Sequence, residues 1–154
     1  MRGISKMDLC EDVALITYNN MLADLSVISD IFDHFSNAGI NIDMISQSMP
    51  SGRQVDLSFT CFGRDLVKAL TITRDLATKY PQVKPMVISG NCKLQLFGAE
   101  MREMHGVFAK ALAALRDIPL ELRLVTTSEV DISLLLDSAH IQQAMEALGT
   151  AFDI

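Results

Sequence analysis

Two stretches of this 154-residue chain have residue types that can bind an anion at the start of a helix. Residues 21–28 (MLADLSVI) and 101–108 (MREMHGVF) each follow an apolar, β-prone run and precede a helical pattern. The first N–H groups of a helix lack intrahelical acceptors and lie at the positive end of its dipole, so they can hold a carboxylate. Asp24, Ser26 and Gly106 suit such a loop, but they are equally suited to plain helix caps. Both interpretations stay open.

Asp43 and Gln47 form a second pair of candidate binding residues. They lie four positions apart in a segment where apolar and polar residues alternate. Positions four apart in a strand share a face, so the two side chains are expected on the same polar side. The Asp43 carboxylate could accept hydrogen bonds from an ammonium group, although a solvated outer face explains both residues equally well.

Composition excludes several other kinds of chemistry. Thirteen Lys and Arg residues against 19 Asp and Glu residues give a net charge of −6, which disfavours nucleic acid and anionic membranes as partners. The chain has no apolar run near the ~20 residues that span a bilayer, and its opening turns polar too early for a signal peptide. Three dispersed cysteines and three dispersed histidines indicate free thiols and no metal site. We expect a cytoplasmic location, no metal and no cofactor.

An internal repeat organises the elements that carry these residues. A shift of 80 positions aligns ALITYNNM (14–21) with LQLFGAEM (94–101) and INIDMISQS (40–48) with LELRLVTTS (120–128). A shift of 75 positions then aligns QVDLSF (54–59) with EVDISL (129–134). The chain therefore contains two homologous units, and a repeat of this length indicates one supersecondary motif per unit.

The first unit has the pattern of a βαββαβ motif. We predict a strand over 13–18, a helix over 24–38, hairpin strands over 40–48 and 54–60 around Pro50-Ser51-Gly52, a helix over 66–77 and a strand over 84–89. Within the hairpin, Ile40, Ile42 and Met44 are predicted to share one buried face. This pattern predicts an α+β, ferredoxin-like fold with an antiparallel four-stranded sheet and both helices on one face.

The second unit repeats this order but lacks its last strand. Its strands are predicted over 92–98, 120–127 and 130–136, and its helices over 105–116 and 138–152. The chain then stops, whereas residues 1–6 precede the first unit without a partner. We expect this N-terminal segment to complete the second sheet. The first unit, residues 9–90, would then be inserted into the second, residues 1–8 and 91–154.

These segments resemble the regulatory region of aspartate kinase, which contains tandem ACT domains. Gly-Ala-x-Met-Arg-x-x-x-Gly-Val-x-Ala, a pattern of the second ACT domain, is matched by residues 98–109, and Thr-Ser-Glu-x-x-Ile-Ser by residues 127–133. GINIDMISQS (39–48) and VDLSFT (55–60) resemble the first ACT domain. MRGIS (1–5) resembles the strand that enters this region from the kinase domain.

The resemblance implies an allosteric module that senses lysine or threonine and has no catalytic residues of its own. It also implies a homodimer built through ACT domains, and a kinase domain or catalytic subunit as partner. The implied effector site comprises Met21, Asp24, Leu25, Ser26, Val27, Ile28, Asn41, Ile42, Asp43 and Gln47. The second candidate loop comprises Met101, Arg102, His105, Gly106, Val107, Thr127, Ser128 and Glu129.

Three alternatives remain. Ser26 stands where many relatives have the glycine of an Asp-x-Pro-Gly turn, which favours a structural dimerisation module that binds no ligand. A stand-alone ACT amino-acid sensor is the second alternative. An acylphosphatase of the same topology is the third, and the absence of arginine from LITYNNMLADLS (15–26) disfavours it. The polar run 126–129 either caps its hairpin or lines a contact between domains. The repeat places Arg123 and Thr127 where the first unit has Asp43 and Gln47.

Overall fold

The computed structural model describes residues 2–154, and Met1 of the predicted N-terminal strand lies outside them. In chain order the elements are β1 (Lys6–Leu22), α1 (Leu25–Asn37), β2 (Ile45–Gln47), β3 (Gln54–Phe62), α2 (Leu66–Lys79), β4 (Pro85–Phe97), α3 (Val107–Leu115), β5 (Leu122–Thr127), β6 (Asp131–Asp137) and α4 (Ile141–Phe152). The chain divides into two compact units, and the unit boundaries fall within β1 and β4. Asp12–Ser89 is the first unit, and the residues up to Glu11 with Gly90–Ile154 are the second.

In the first unit, β3 pairs in antiparallel fashion with β1 on one side and with β2 on the other. Alternate residues of β3 are buried, as expected when one face of a strand is covered. Those side chains share one hydrophobic core with the buried stripes of both helices. The core includes Ile16, Tyr18, Leu57, Phe59, Ile31, Phe35, Ile72 and Leu76. The predicted class, an α+β fold with antiparallel strands and helices, is confirmed.

The edge strand β2 is shorter than the pattern suggested. Ile40–Met44 was expected to alternate as a strand, but only Ile45–Gln47 is one. The Asp43 amide donates to the Thr60 carbonyl at 3.1 Å, and the Thr60 amide donates to the Met44 carbonyl at 3.0 Å. Asp43 and Met44 together therefore lie opposite the single residue Thr60, which is the arrangement of a β-bulge. The bulge shifts the alternation by one position. This corrects two expectations: the single buried face over Ile40, Ile42 and Met44, and the shared polar face of Asp43 and Gln47.

The second unit has the same order of pairing. β6 pairs in antiparallel fashion with β4 on one side and with β5 on the other. Its core joins alternate residues of β4 and β6 to the stripes of α3 and α4. That core includes Leu94, Leu96, Ile132, Leu134, Ala111, Leu115, Ala144, Leu148 and Phe152.

The N-terminal segment packs against β4 within the second unit. The Ser5 amide donates to the Phe97 carbonyl at 2.8 Å, and the side chain of Ile4 is fully buried in the core of the second unit. A Cβ on Gly98 would lie 1.6 Å from the Gly3 carbonyl oxygen, so this close backbone approach requires glycine at position 98. The regular strand itself starts only at Lys6.

Two strands are longer than predicted. β1 extends well beyond the predicted 13–18, and β4 includes both predicted strands, 84–89 and 92–98. Asp12 (φ 55°) and Gly90 (φ 72°) have left-handed backbone within these strands. A glycine followed by asparagine is typical of a turn, but a glycine inside a strand can also mark a bulge. The predicted break at 90–91 is therefore wrong.

The helices lie close to their predicted positions. α1 is bounded by Asp24 and Ala38, and α2 ends shortly before Pro81, whose ring cannot continue a helix. The helix predicted over 138–152 begins later, at Ile141. No helix in residues 2–154 is long and apolar enough to cross a bilayer.

Candidate functional site

The entrance to α1 (residues 21–28) is capped by the chain itself. Asp24 is the N-cap residue, and its Oδ1 accepts a hydrogen bond from the Ser26 amide at 2.8 Å. The Asp24 carbonyl accepts from the amides of Val27 (3.1 Å) and Ile28 (3.0 Å). Within the described chain, the Leu25 amide alone among residues 25–28 has no acceptor. A ligand carboxylate could bind that amide directly, or could replace the Asp24 side chain at the helix end.

Asp43 is exposed and lies far along the sheet from the α1 entrance. Its amide bonds to Thr60, which pairs with Leu15 on β1. Along β3, Thr60 lies five residues from Val55, the partner of Met21 where the entrance begins, which is a distance of about 17 Å. The ammonium and carboxylate of an α-amino acid lie within about 4 Å of each other. One molecule therefore cannot contact Asp43 and the amides of residues 25–28 in the same chain, which corrects that expectation.

The other predicted effector residues are divided between core and surface. Met21 and Val27 are buried in the first unit's core, and Ile42 packs partly buried against it. Asn41 and Gln47 are exposed, as are the remaining entrance residues 24–26. Gln47 lies closer than Asp43 to the α1 entrance, because its partner on β3, Leu57, pairs with Tyr18.

The second candidate loop contacts the β5–β6 turn. Arg102 Nε lies 3.3 Å from Glu129 Oε2, and both side chains are largely exposed. Gly106 is the N-cap of α3 and has φ 81°, a conformation that favours glycine. The structure thus brings Arg102 and Glu129 together through an ion pair. Met101 is partly buried, Val107 is buried, and His105 and Thr127 are exposed.

Ser128 caps the β5–β6 hairpin. Its hydroxyl accepts from the amides of Val130 and Asp131, both at 3.2 Å, and contacts the Asp131 carboxylate. Arg123 is mostly buried, with its guanidinium bonded to the Asn91 side chain and to Glu121 Oε2. The second unit therefore has a bonded cation, Arg123, at the position equivalent to Asp43 of the first unit.

A cavity of about 390 Å³ in the first unit lies beside the α1 entrance. It is lined by Asn20, Met21, Leu22, Val27, Arg53, Gln54, Tyr80, Gln82 and Val83. Only two of these, Met21 and Val27, were predicted from the sequence. A βαββαβ unit brings its first, third and fifth connections to one end, because each element reverses the chain direction. That topology is the signal that could have added the β2–β3 turn and the α2–β4 connection.

Tyr80 in this cavity wall is fixed by a charged network. Its hydroxyl donates to Asp30 Oδ2 at 2.7 Å, and Lys79 Nζ donates to the same oxygen at 2.6 Å. His34 Nδ1 lies 3.3 Å from Asp30 Oδ1. The hydrogen bond from Lys79, followed by that from Tyr80, holds the pKa of Asp30 below its usual value. The network ties the end of α2 to α1.

Comparison with known proteins relates the whole chain to one family. The ACT domain family matches residues 94–152. The aspartokinase of Geobacillus stearothermophilus is 29% identical over 154 residues, which are 100% of this chain and 36% of that protein. The chain thus spans little more than a third of the length of the curated relatives it matches.

Two solved structures have the same fold over nearly their full length. A chain from aspartokinase alpha and beta subunits has a TM-score of 0.85 at 25% identity, covering 98% of this chain and 99% of that one. The regulatory subunit of aspartate kinase from Thermus flavus has a TM-score of 0.86 at 21% identity, covering 97% and 98%. The chain is therefore homologous along its whole length to about a third of the aspartokinase chain, and residues 94–152 match the ACT domain family.

Proposed function

We propose that this chain is the amino-acid-sensing module of an aspartate kinase, with lysine or threonine as its effector. The supporting observation is similarity to aspartokinases over the whole chain, together with the ACT domain match at residues 94–152. The partner it controls is a kinase domain or a catalytic subunit in the cytoplasm. Control requires that the effector bind two states of the kinase with different affinities, because equal affinities shift no equilibrium.

We extend the ACT assignment to the first unit. Its pairing of β1, β3 and β2 has the same order as the pairing of β4, β6 and β5 in the second unit. The aligned sequence repeat supports the same conclusion. The chain would then contain two ACT domains, with residues 9–90 inserted between residues 1–8 and 91–154.

The effector site is proposed to form between two copies of the chain. In a homodimer, the α1 entrance of one copy faces β2 and β3 of the other. The effector carboxylate binds amides of residues 25–28, including the Leu25 amide, and its ammonium binds Asp43 of the partner copy. Gln47 lies near the effector side chain. In this arrangement the two groups come from different chains, so the distance of about 17 Å between Asp43 and the α1 entrance of one chain is no obstacle.

The first unit is the better candidate for this site because of its charge. Asp43 gives it an exposed carboxylate, whereas the aligned residue in the second unit is the cation Arg123. A cation repels the effector's ammonium and gives it no acceptor. We therefore expect the second unit to bind amino acids more weakly.

Calorimetric titration with lysine, threonine and methionine tests the proposal. We expect lysine or threonine to bind, and Asp43→Ala to lower the affinity ~30- to 100-fold, because a partly desolvated ammonium loses its partner. Asp33→Ala removes another exposed carboxylate, on α1, and should bind like the parent. Equal binding by Asp43→Ala and the parent would contradict the site.

A structural dimerisation module is the second candidate function. Asp24 Oδ1 already accepts a hydrogen bond from the Ser26 amide at 2.8 Å, as the side chain of a simple helix cap does. This alternative predicts a dimer that binds none of the three amino acids at millimolar concentration. The same titration therefore separates the two functions.

A further inference from the structure

The cavity beside the α1 entrance has the composition of a small-molecule site. Its apolar wall is formed by Met21, Leu22, Val27 and Val83. Ligand cavities typically have volumes of about 300–1,000 Å³, and they combine mostly apolar walls with a few polar groups that fix orientation. The volume of about 390 Å³ lies at the small end of that range.

The cavity has one charged group with no partner. Arg53 lines it from the β2–β3 turn, and within residues 2–154 its guanidinium takes part in no ion pair or hydrogen bond. Lys79, the cation next to the wall residue Tyr80, is instead bound to Asp30 at 2.6 Å. An anionic group in the cavity would therefore be bound by Arg53, whose planar fork matches a carboxylate.

Backbone and side-chain bonds hold the walls in place. The Ala23 amide donates to the Arg53 carbonyl at 2.7 Å, and the Val83 amide donates to the Tyr80 carbonyl at 2.9 Å. The Tyr80 hydroxyl is bound to Asp30 at 2.7 Å. A cavity that is already formed binds a ligand without the cost of ordering its walls.

We propose that this cavity binds a small carboxylic acid with an apolar body of four to six carbons. The carboxylate contacts Arg53, and the hydrocarbon contacts Met21, Val27 and Val83. This site shares Met21 and Val27 with the candidate effector residues, but it uses neither Asp43 nor a second copy. The inference therefore does not depend on the proposed function.

Hexanoate is a suitable probe, followed by amide NMR shifts of the full chain. A ligand of this size should bind at about millimolar concentration. The shifts should centre on residues 20–22, 53–54 and 80–83. Hexylamine should bind at least tenfold more weakly because Arg53 repels it, and so should acetate because it lacks most of the apolar body. Equal binding of hexanoate and hexylamine, or shifts centred elsewhere, would overturn the proposal.

Two variants test the walls separately. Arg53→Gln should weaken hexanoate about tenfold while leaving the neutral hexanamide within about twofold, because only the charge-assisted bond is lost. Arg74→Gln, at an exposed position of α2, is the matched control and should change neither affinity. Gln82→Trp places a bulky ring at an exposed part of the lining and should weaken both ligands. Unchanged hexanoate affinity in Arg53→Gln or Gln82→Trp would contradict the site.

Discussion

Tyr18 places a polar hydroxyl group in the hydrophobic core of the first unit. Its side chain is 1% exposed, and its hydroxyl has no hydrogen-bond partner within the described chain. A buried hydroxyl without a partner costs roughly 1–3 kcal/mol. We expect Tyr18→Phe to raise the free energy of unfolding by up to that amount, measured by urea denaturation. Tyr80→Phe is the matched control and should lower it, because the Tyr80 hydroxyl donates to Asp30. A destabilised Tyr18→Phe would contradict the unpaired hydroxyl.

The same tyrosine predicts a dependence of stability on alkaline pH. Burial raises the pKa of Tyr18 from its ordinary value of 10.0 to about 12. Between these values the unfolded chain releases this proton and the folded chain keeps it, so stability falls as pH rises. Parent stability should therefore decrease more steeply than that of Tyr18→Phe between pH 10 and 12. Parallel curves in urea denaturation would contradict this.

The lowered pKa of Asp30 predicts that stability falls as pH decreases in the acid range. Because the hydrogen bond from Lys79 lowers the pKa of Asp30, the unfolded chain takes up this proton first as pH falls. The stabilisation is present above the unfolded pKa near 4 and is lost as pH falls through the folded pKa. Asp30→Asn should have a lower melting temperature at neutral pH and a shallower acid decrease. A variant that melts with the parent at every pH would show that the network contributes nothing.

At the scale of elements, the N-terminal segment is predicted to stabilise the second unit. Ile4 is fully buried in that unit's core. We expect Ile4→Ala to cost about 2–4 kcal/mol, because it removes buried methyl groups and leaves a cavity. Lys6→Ala, at an exposed position, should cost less than about 0.5 kcal/mol. Hydrogen exchange should accelerate in β6 before β3, and equal acceleration in both would contradict a preferential effect.

Local sequence patterns predicted these elements well where each pattern had one physical cause. The stripe from Val27 to Phe35 and the alternation from Val55 to Phe59 both face a core, so their periods specify α1 and β3. The break predicted between the strands 84–89 and 92–98 was wrong because a glycine, here Gly90, can lie inside a bulged strand as well as between two strands. The bulge at Asp43 and Met44 was missed because its bonds depend on Thr60 of another strand.

The candidate site was predicted less completely than the fold. Asp24 and Ser26 were found because a helix cap is a local signal. Arg53 and Tyr80 were missed because only the folded topology brings their connections beside the α1 entrance. The distance of Asp43 from that entrance likewise follows from strand register, which the repeat alone does not specify.

At the scale of the whole molecule, an effector site between two copies requires that the chain associate. The edge strand β2 has exposed residues at both ends, and Leu25 in the α1 entrance is 80% exposed. Exposed edges and apolar side chains of this kind are often covered by a partner. Sedimentation equilibrium at tens of micromolar should give the mass of a dimer. A monomer at that concentration would contradict the proposed site between two copies.

Two variants each remove one of the two groups proposed to bind the effector: an amide of the α1 entrance in one copy and the Asp43 carboxylate in the other. Leu25→Pro removes the Leu25 amide at the first position of α1, where proline is well tolerated, and the preceding residue, Asp24, already has the extended backbone that proline requires. Asp43→Ala removes the carboxylate. Each variant alone should form dimers without an intact site.

Calorimetric titration of a mixture of these variants is the most direct test. In an equilibrated 1:1 mixture, half of the dimers contain one chain of each kind, and each such dimer has one intact site. About a quarter of all sites should therefore regain the parent affinity for lysine or threonine. We expect this partial recovery if the effector site is shared between two chains. A mixture that exchanges subunits but binds no better than either variant alone would contradict an effector site shared between two chains.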